Sequence, residues 1–444
     1  MTTTSERSVA VIGGGVAGLT AAYVLAKHDR VTLFDADDRL GGHAHTHDVD
    51  LGDGRRVRVD TGFIVHNDRT YPTLCALFDE LGVATQPTDM SMSVRADGLE
   101  YAGARGLRGL FPTASNLRRG RYLRMLGEVL RFHRAARALL DTGGADESHL
   151  GGAEETLGGA EETLGDFLDR LGFSRYFVDH FMTPLVAAVW SCDPAAAGRY
   201  PARYLFTFLD HHGMLAVFGS PPWRTVTDGS ARYVEKIAAG IDEIRTASPV
   251  HRLDRGSGGV QVTTADGTRD FDAAVVAVHP RQALRLLAAP TPDEAAVLGA
   301  IPYSTNVARL HTDESLLPRA TAARASWNYL VPGAGERERG VIVTYDMTRL
   351  MRLDGIRDRR FLVTLGGADR IDPSTVIAEM TYEHPLYTPE SVAAQRRLPE
   401  LDSATVTFAG AYHGWGFHED GAASGLRAAR RLGARDDLPV GVPA

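Results

Sequence analysis

Short apolar runs alternate with polar turns along the chain, and their pattern predicts an α/β protein. Residues 9–12 and 273–278 are continuous apolar runs, which are typical of parallel strands covered on both faces. The apolar stretch at 19–26 follows the first run after a turn and predicts a helix, and 31–34 predicts a second strand. This strand–helix–strand order predicts a parallel, doubly wound sheet.

A glycine-rich turn joins the first predicted strand to the first helix. Gly13, Gly15 and Gly18 have the G-x-G-x-x-G spacing. The first glycine permits a tight turn, the second lets the backbone approach a pyrophosphate, and the third lets the helix pack closely on the strand. Asp35 ends the second predicted strand, where an acid accepts hydrogen bonds from ribose hydroxyls and argues against NADP. The pattern predicts a dinucleotide at the helix N-terminus.

The residues after Asp35 separate flavin from nicotinamide cofactors. Arg39, Gly41 and Gly42 form an Arg-x-Gly-Gly motif directly after the acid-ended strand. This arrangement resembles the flavin amine oxidase and phytoene desaturase superfamily, where the second glycine pair and a basic residue bind the FAD pyrophosphate. His43 stands where the superfamily usually has Arg or Lys, which implies a weaker, pH-dependent phosphate contact. The resemblance implies FAD, bound non-covalently because the C-terminal motif has no cysteine.

A C-terminal motif resembles the same superfamily. A predicted strand at 404–410 is followed by a predicted helix at 421–432, whose N-terminus the resemblance places at the isoalloxazine ring. The expected cofactor contacts are Gly13, Gly15, Val16, Ala17, Gly18, Asp35, Ala36, Arg39, Gly41, Gly42, His43, Gly62, Phe63, Ile64, Val250, Gly410, Ala411, Asp420, Gly421 and Ala422.

The stretch 412–421 also resembles a group of bacterial flavoproteins similar to the FAD-binding N-terminal part of plant cyclopropane fatty acid synthases. Segments 67–72, 188–191, 210–215 and 382–385 resemble the same group. Its bacterial members tend to accompany cyclopropane-fatty-acid-type methyltransferases. The resemblance therefore implies an unsaturated or modified acyl chain as substrate and a methyltransferase as a partner, by analogy with the group.

The motifs place the FAD-binding domain in three separate pieces of the chain. These pieces are residues 1–75, 223–289 and 401–435, while 76–222 and 290–400 form a substrate domain. The first insertion has helical patterns and the second has strands with turns. The predicted fold is a Rossmann-like FAD domain of the glutathione-reductase type with an inserted α+β substrate domain, as in amine oxidases.

Composition and charge narrow the partners and the compartment. The formal net charge of −8 argues against a nucleic-acid-binding protein. The chain has two cysteines and no long apolar run, so we expect a cytoplasmic protein without a disulfide. Residues 115–140 combine many arginines with a partly helical apolar stripe. Such a helix is either a solvated face or a peripheral contact with anionic lipid.

The scarcity of lysine bears on the chemistry. Lys27 and Lys236 are the only lysines of the chain. Many amine oxidases hold a lysine–water pair near flavin N5, and the matching stretch at 306–311 has no lysine. We therefore favour an FAD-dependent oxidoreductase that transfers a hydride between an apolar substrate, a fatty acyl chain, and flavin N5, by dehydrogenation, desaturation or double-bond isomerisation. The alternatives are a flavin amine oxidase and a non-catalytic flavoprotein subunit that partners a methyltransferase.

Four residues of the C-terminal motif are candidates for catalysis. His418 and Glu419 lie just before the predicted helix, where they either handle protons or cap the helix. Tyr412 and Trp415 either form apolar walls at the flavin or belong to the core.

Three alternating histidines form a weaker motif. His43, His45 and His47 would share one face of a strand, which is compatible with metal binding. A solvated strand beside the pyrophosphate is the favoured interpretation, because no acid or cysteine cluster accompanies them, so no metal site is predicted.

Overall fold

The computed structural model describes residues 7–96, 98–142, 162–216, 219–256, 258–331, 342–353, 356 and 358–440. The chain divides into two compact units. Unit one comprises Met1–Gln86, Arg224–Pro302 and Glu390–Ala444, and unit two comprises Pro87–Trp223 and Tyr303–Pro389. The predicted domain boundaries at 75, 223, 289 and 401 differ from these. Residues 72–81 fall in unit one, where their first amides bond to Glu419.

The described strands are β1 (Ser8–Ile12), β2 (Arg30–Phe34), β3 (Thr46–Asp50), β4 (Arg56–Asp60), β5 (Thr85–Pro87), β6 (Met92–Ala96), β7 (Leu99–Ala102), β8 (Arg224–Val226), β9 (Glu243–Arg245), β10 (Arg252–Arg255), β11 (Val260–Thr264), β12 (Gly267–Phe271), β13 (Ala273–Val276), β14 (Tyr303–His311), β15 (Trp327–Leu330), β16 (Val343–Asp346), β17 (Leu362–Leu365), β18 (Val376–Pro385) and β19 (Val406–Phe408).

The described α-helices are α1 (Val16–Leu25), α2 (Pro72–Leu81), α3 (Gly106–Leu110), α4 (Gly120–Asp141), α5 (Leu164–Arg170), α6 (Arg175–Phe177), α7 (Thr183–Trp190), α8 (Ala202–His211), α9 (Ala231–Ala238), α10 (Pro280–Leu286), α11 (Pro292–Gly299), α12 (Met347–Leu350), α13 (Pro389–Arg397) and α14 (His418–Arg431). A π-helical turn, Val178–Met182, connects α6 to α7. Short 3₁₀ helices include Ala114–Arg118 and Ala411–His413.

Unit one is built around a parallel sheet in the order β19–β13–β1–β2–β9. The central strand β1 is apolar and fully buried at Val9, Ala10 and Val11, as a strand covered on both faces requires. Helices α1 and α14 cross very closely, because a Cβ at Gly425 would lie 2.0 Å from the Ala17 carbonyl oxygen. The predicted doubly wound α/β core is confirmed.

Unit two contains a seven-stranded sheet in the order β18–β14–β17–β16–β15–β6–β7. Its pairs are antiparallel except for β15 with β6, which are parallel. The helices α4 to α8 supply an aromatic core, in which Phe132 contacts Phe177 and Phe206 at ring-centroid distances of 5.9 and 5.3 Å. The predicted α+β composition of the insertion is therefore present. None of the described helices combines the length and apolar character needed to cross a bilayer.

A buried carboxylate ties two of the three segments of unit one together. Asp60, at the end of β4, accepts the backbone N–H of Ser230 at 2.9 Å and its hydroxyl at 2.9 Å. Thr46 donates its hydroxyl to the same oxygen at 2.5 Å. Ser230 is the N-cap of α9 and makes no side-chain cap bond of its own, so Asp60 performs that role from the other segment. Burial raises the pKa of Asp60 to about 6.

We predict that Asp60→Asn destabilises the protein by about 2 kcal/mol at neutral pH, because an amide NH₂ would then face the Ser230 donors. The folded protein holds this proton up to about pH 6, whereas the unfolded chain releases it near pH 3.8. The contribution of Asp60 to the free energy of unfolding is therefore largest below about pH 3.8. This contribution is lost as the pH rises from there to about 6. The stability difference between wild type and variant should shrink by about 1.4 kcal/mol per pH unit there.

Urea unfolding of both proteins across this pH window measures the effect. Asp48→Asn is the matched control, because Asp48 lies on the adjacent strand with 62% of its side chain exposed. Equal destabilisation by the control, or a difference that does not change with pH, would contradict the assignment.

Candidate functional site

The glycine turn after β1 has the geometry that a bound pyrophosphate requires. Gly13 has φ +106°, and a Cβ there would lie 2.4 Å from the Ala277 carbonyl oxygen. A Cβ at Gly18 would lie 1.8 Å from the Gly13 carbonyl oxygen, so only glycine lets α1 pack on this turn. A Cβ at Gly15, in contrast, would meet no atom within 4 Å. The turn is therefore tightly packed on its protein side and open at Gly15.

The N-terminus of α1 is available to an anion. Its N-cap is Gly15, which has no side-chain cap bond, and the first turn contains no acidic residue. The first N–H groups of a helix and its dipole together favour a phosphate at such an end. Val16 and Ala17 form this first turn, and their contact with a cofactor stays a prediction.

The second glycine pair lies directly against the first turn. Gly41 donates its N–H to the Gly14 carbonyl oxygen at 2.8 Å, and a Cβ at Gly42 would lie 3.2 Å from the Cα of Gly15. Arg39 donates from Nη2 to the Gly42 carbonyl oxygen at 2.8 Å, which holds the guanidinium in this loop. Two motifs that are more than twenty residues apart thus form one cradle around the open position at Gly15.

Asp35 stabilises the same turn at the end of β2. Its carboxylate accepts the N–H of Gly14 at 2.5 Å and the N–H of Asp37 at 2.8 Å, and burial raises its pKa. Each carboxylate oxygen keeps a lone pair for a ribose hydroxyl. Ser248 donates its N–H to the Asp35 carbonyl oxygen at 2.8 Å, which brings the stretch containing Val250 to the end of β2. Ala36, between the two acids, is exposed.

The segment 62–64 packs onto the loop that follows the second glycine pair. Phe63 donates its N–H to the His43 carbonyl oxygen at 2.7 Å, and a Cβ at Gly62 would lie 2.1 Å from that oxygen. Phe63 and Ile64 are both buried, with 8% exposure. The backbone of His43 therefore has a packing role here, and its predicted contact with a phosphate stays a prediction.

The C-terminal motif meets α1 at the same end of the sheet. Helix α14 begins at His418, so the predicted start at 421 is three residues late. The carboxylate of Asp420 accepts the N–H of Phe417 at 2.8 Å, which begins the helix before Gly421. A Cβ at Gly421 would lie 2.6 Å from Cγ1 of Val16, so this glycine brings the two helix N-termini together. Burial raises the pKa of Asp420 to about 7.

The strand end before this helix is also held by a hydrogen bond. Ser424 accepts the N–H of Gly410 at 2.9 Å, which links the turn after β19 to α14. Ala411 begins the 3₁₀ turn that follows, and Ala422 is fully buried. The residues expected to contact FAD from this motif therefore lie in one connected group with Val16.

The side chain of Glu419, a residue of α14, contacts the start of another helix, α2. Its two carboxylate oxygens accept the N–H groups of Thr73 and Leu74, each at 2.9 Å. These amides open α2, whose N-cap makes no side-chain cap bond. Burial raises the pKa of Glu419, and the two amides oppose that shift. Its contacts are those of a helix cap supplied from another segment, and they favour the capping alternative over proton transfer.

His418 lies in an aromatic environment rather than before the helix. Its ring stacks on Phe63 at a centroid distance of 3.8 Å and an interplanar angle of 9°, and its Nε2 lies 3.0 Å from the Tyr233 hydroxyl. Burial, with a smaller contribution from His66, lowers its pKa to about 3. The imidazole is therefore neutral at pH 7, which suits hydrogen bonding more than the transfer of a charged proton.

Tyr412 and Trp415 are both buried, with 1% and 6% exposure. The Tyr412 ring packs on Gly410, where a Cβ would lie 2.2 Å from its Cε1. Its hydroxyl has no hydrogen-bond partner among the described residues, so it can still bind an incoming group. These contacts fit core packing as well as a wall of the site, and the catalytic assignments of this motif stay predictions.

The alternating histidines lie close together without forming a cage. The rings of His45 and His47 are 4.1 Å apart, and burial together with Arg39 lowers the pKa of both. Across the described residues, no group of three metal-binding side chains is near enough to share an ion.

Some residues of this site were not predicted. Tyr233 and His66 belong to segments that come together only in the fold, and no spacing in the sequence connects them to His418. Arg427 is mostly buried in α14, and its Nη1 has no hydrogen-bond partner among the described residues. Arg427 follows Asp420 by two helical turns, and this spacing in the sequence could have identified it as a residue on the same helix face.

The comparisons with known proteins agree with this geometry. A family model described as flavin containing amine oxidoreductase matches residues 16–433. A carotenoid phi-ring synthase from Streptomyces griseus is 30% identical over 326 residues, which are 69% of this chain and 57% of that protein. This chain therefore spans less than two-thirds of the length of that relative.

Solved structures show the same fold at low identity. A cyclohexylamine oxidase from Brevibacterium oxydans has a TM-score of 0.67 at 18% identity and covers 96% of this chain and 98% of its own. A CLA-producing fatty acid isomerase from P. acnes has a TM-score of 0.68 at 18% identity and covers 98% of this chain and 100% of its own. The two differ in what they act on, so they support the fold alone.

We predict that Gly15→Val weakens FAD binding at least about tenfold and leaves the stability of the FAD-free protein within about 0.5 kcal/mol. The added side chain meets no protein atom, and the extended backbone at φ −73° accommodates valine, so its effect falls on the space for the pyrophosphate. Titration of FAD-free protein with FAD measures the affinity. Gly299→Val is the control, because a Cβ there also meets no atom. Unchanged affinity for FAD would contradict the assignment.

We predict that Glu419→Gln lowers the free energy of unfolding by about 1–3 kcal/mol, because the amide NH₂ cannot accept from the α2 amides. The pH dependence of flavin reduction should stay unchanged in the variant. Chemical unfolding and stopped-flow reduction measure the two effects. Glu400→Gln is the control, since that side chain is 58% exposed. A stable variant that has lost one limb of the pH profile would assign proton transfer to Glu419 instead.

Proposed function

This chain belongs to the flavin containing amine oxidoreductase family, and on that premise we propose that it moves a hydride between a fatty acyl chain and N5 of FAD. The family makes the protein an FAD-dependent oxidoreductase. The acyl substrate, and the choice between dehydrogenation and double-bond isomerisation, are the proposal.

FAD, when bound, supplies a hydride acceptor and donor at N5. The residues of this chain bind and orient it. The open position at Gly15 and the N-terminus of α1 fit the pyrophosphate, and Asp35 fits the ribose of the adenosine. In dehydrogenation, one C–H bond of the substrate would break as hydride and the adjacent carbon would lose a proton to water, with molecular oxygen as the final acceptor of the two electrons. In isomerisation, the hydride returns to a different carbon of the same chain.

The charge distribution of unit two carries the proposal of an apolar substrate. Among its described buried residues, Glu128 and Asp346 are the charged ones. Glu128 accepts the N–H and hydroxyl of Ser174 at 2.9 and 2.6 Å, and Asp346 pairs with Arg360 at 2.7 Å. Neither carboxylate is left to balance a substrate ammonium, and an uncompensated charge in this interior would be costly.

The remaining interior of unit two favours contact with hydrocarbon. Trp190 lies 5.3 Å from Tyr200 and 4.7 Å from Phe208, and Tyr387 lies 6.1 Å from Tyr200, between ring centroids. Unit two also contains no lysine, since both lysines of the chain belong to unit one. Two of the similar proteins are named for a carotenoid and a fatty acid, which are apolar molecules. These observations support an acyl chain over an amine.

We predict that purified holoprotein reacts with vesicles of an unsaturated phospholipid under anaerobic conditions. Flavin absorbance should be bleached if the acyl chain is dehydrogenated, and mass spectrometry should detect a moved double bond if it is isomerised. A panel of primary and secondary amines should produce no hydrogen peroxide in air. Vesicles of the saturated phospholipid with the same head group are the control.

Other outcomes would assign a different function. Peroxide formed from amines would identify an amine oxidase. Absence of any lipid product with the holoprotein alone, but its appearance when a cyclopropane-fatty-acid-type methyltransferase is added, would identify a non-catalytic flavoprotein subunit. Both results would overturn the proposal.

A further inference from the structure

Four exposed leucines lie within one short stretch of unit two. Leu107 is 76% exposed, Leu117 is 58%, Leu123 is 42% and Leu130 is 46%. The other exposed large apolar side chains of the described residues are Ile244, Val307 and Ile377, which belong to β9, β14 and β18. Exposed apolar side chains are thus concentrated on α3, the 3₁₀ helix Ala114–Arg118 and α4. Such a concentration is typical of a surface that binds a partner or a membrane.

Two buried side chains hold these three elements together. Asn116, in the 3₁₀ helix, donates from Nδ2 to the carbonyl oxygen of Leu110 at the end of α3 at 3.1 Å. Tyr122, in the first turn of α4, donates its hydroxyl to the same oxygen at 2.8 Å. The exposed leucines therefore belong to three elements that are bonded to one another.

The α4 part of this surface is one face of a helix. Leu123 and Leu130 are seven residues apart, so they lie almost in line, and Arg134 follows at the next turn. The opposite face of α4 is buried at Tyr122, Met125, Glu128, Phe132 and Ala136. Leu126 and Leu139 of the same helix are partly covered, whereas Leu107 and Leu117 of the two neighbouring elements are exposed.

Arginines alternate with the leucines on this surface. Arg108, Arg118 and Arg134 are exposed, and none has a hydrogen bond or an ion pair with another described residue. The one acidic residue from 101 to 140 is Glu128, which is buried and accepts from Ser174. We define these four leucines and three arginines as the Leu–Arg surface.

We propose that the Leu–Arg surface docks on an anionic phospholipid bilayer. Leucine side chains enter the boundary between head groups and acyl chains. Each guanidinium group donates two parallel hydrogen bonds to the oxygens of a phosphate. A second copy of this surface would bring arginine against arginine, which disfavours self-association. A nucleic acid would pair with the arginines and leave the leucines without contacts. The inference concerns this surface alone and does not depend on the proposed reaction.

The test is co-sedimentation with vesicles of phosphatidylcholine alone or mixed with phosphatidylglycerol. Wild type should bind the anionic vesicles and dissociate from them at high salt, and it should not bind the neutral vesicles. The double variant Arg118→Glu with Arg134→Glu should bind at least about tenfold more weakly, because two basic residues that attract anionic head groups are reversed in charge. The double variant Leu107→Ser with Leu117→Ser should also lose binding at least about tenfold.

Matched controls test whether the effect belongs to this surface. Arg281→Glu with Arg285→Glu changes two exposed arginines of α10, and Val307→Ser with Ile377→Ser changes two exposed apolar residues of the unit-two sheet. Both control variants should bind as wild type does, and melting curves should show all variants folded. No binding by wild type, equal losses in the controls, or tighter binding to duplex DNA than to vesicles would overturn the proposal.

Discussion

Unit one depends on buried or half-buried carboxylates that accept backbone N–H groups from other parts of the chain. Asp60 caps α9, Glu419 caps α2, and Asp35 holds the glycine turn at Gly14. Each of these helix or turn amides would otherwise be left without a partner in a buried place, at a cost of about 1–3 kcal/mol each. Because unit one is assembled from three separate segments, these bonds also decide which segments come together.

This use of the acids has a consequence for the chemistry of the site. Both oxygens of Glu419 are engaged by amides, and His418 is a neutral ring stacked on Phe63. Glu419 and His418 therefore make contacts that stabilise the fold, whereas the N-terminus of α1 at Gly15 is left open. These contacts suit this part of the protein to binding and orienting FAD, which supplies the redox chemistry of the family.

The charged side chains of unit two are not arranged as in a binding site for a cation, which would need a free buried carboxylate. Each of its buried acids, Glu128 and Asp346, has an arginine partner, while arginines without a partner among the described residues are on the outside with exposed leucines. An interior whose buried acids are paired and a basic, partly apolar exterior are both suited to lipids, although the two observations are independent. The interior supports an acyl substrate, and the surface supports contact with the membrane that contains it.

The sequence alone determined the features that depend on local stereochemistry. The spacing of Gly13, Gly15 and Gly18 predicts the turn and the parallel sheet, because only glycine fits at the first and third positions, where backbone meets backbone, while the second is open. The tertiary structure decided what depends on partners far along the chain. Glu419 meets Thr73 across 346 residues, and no local pattern encodes that contact. Helix α14 begins early because Asp420 accepts from Phe417, and the exposure of Leu117 depends on what the rest of unit two leaves uncovered.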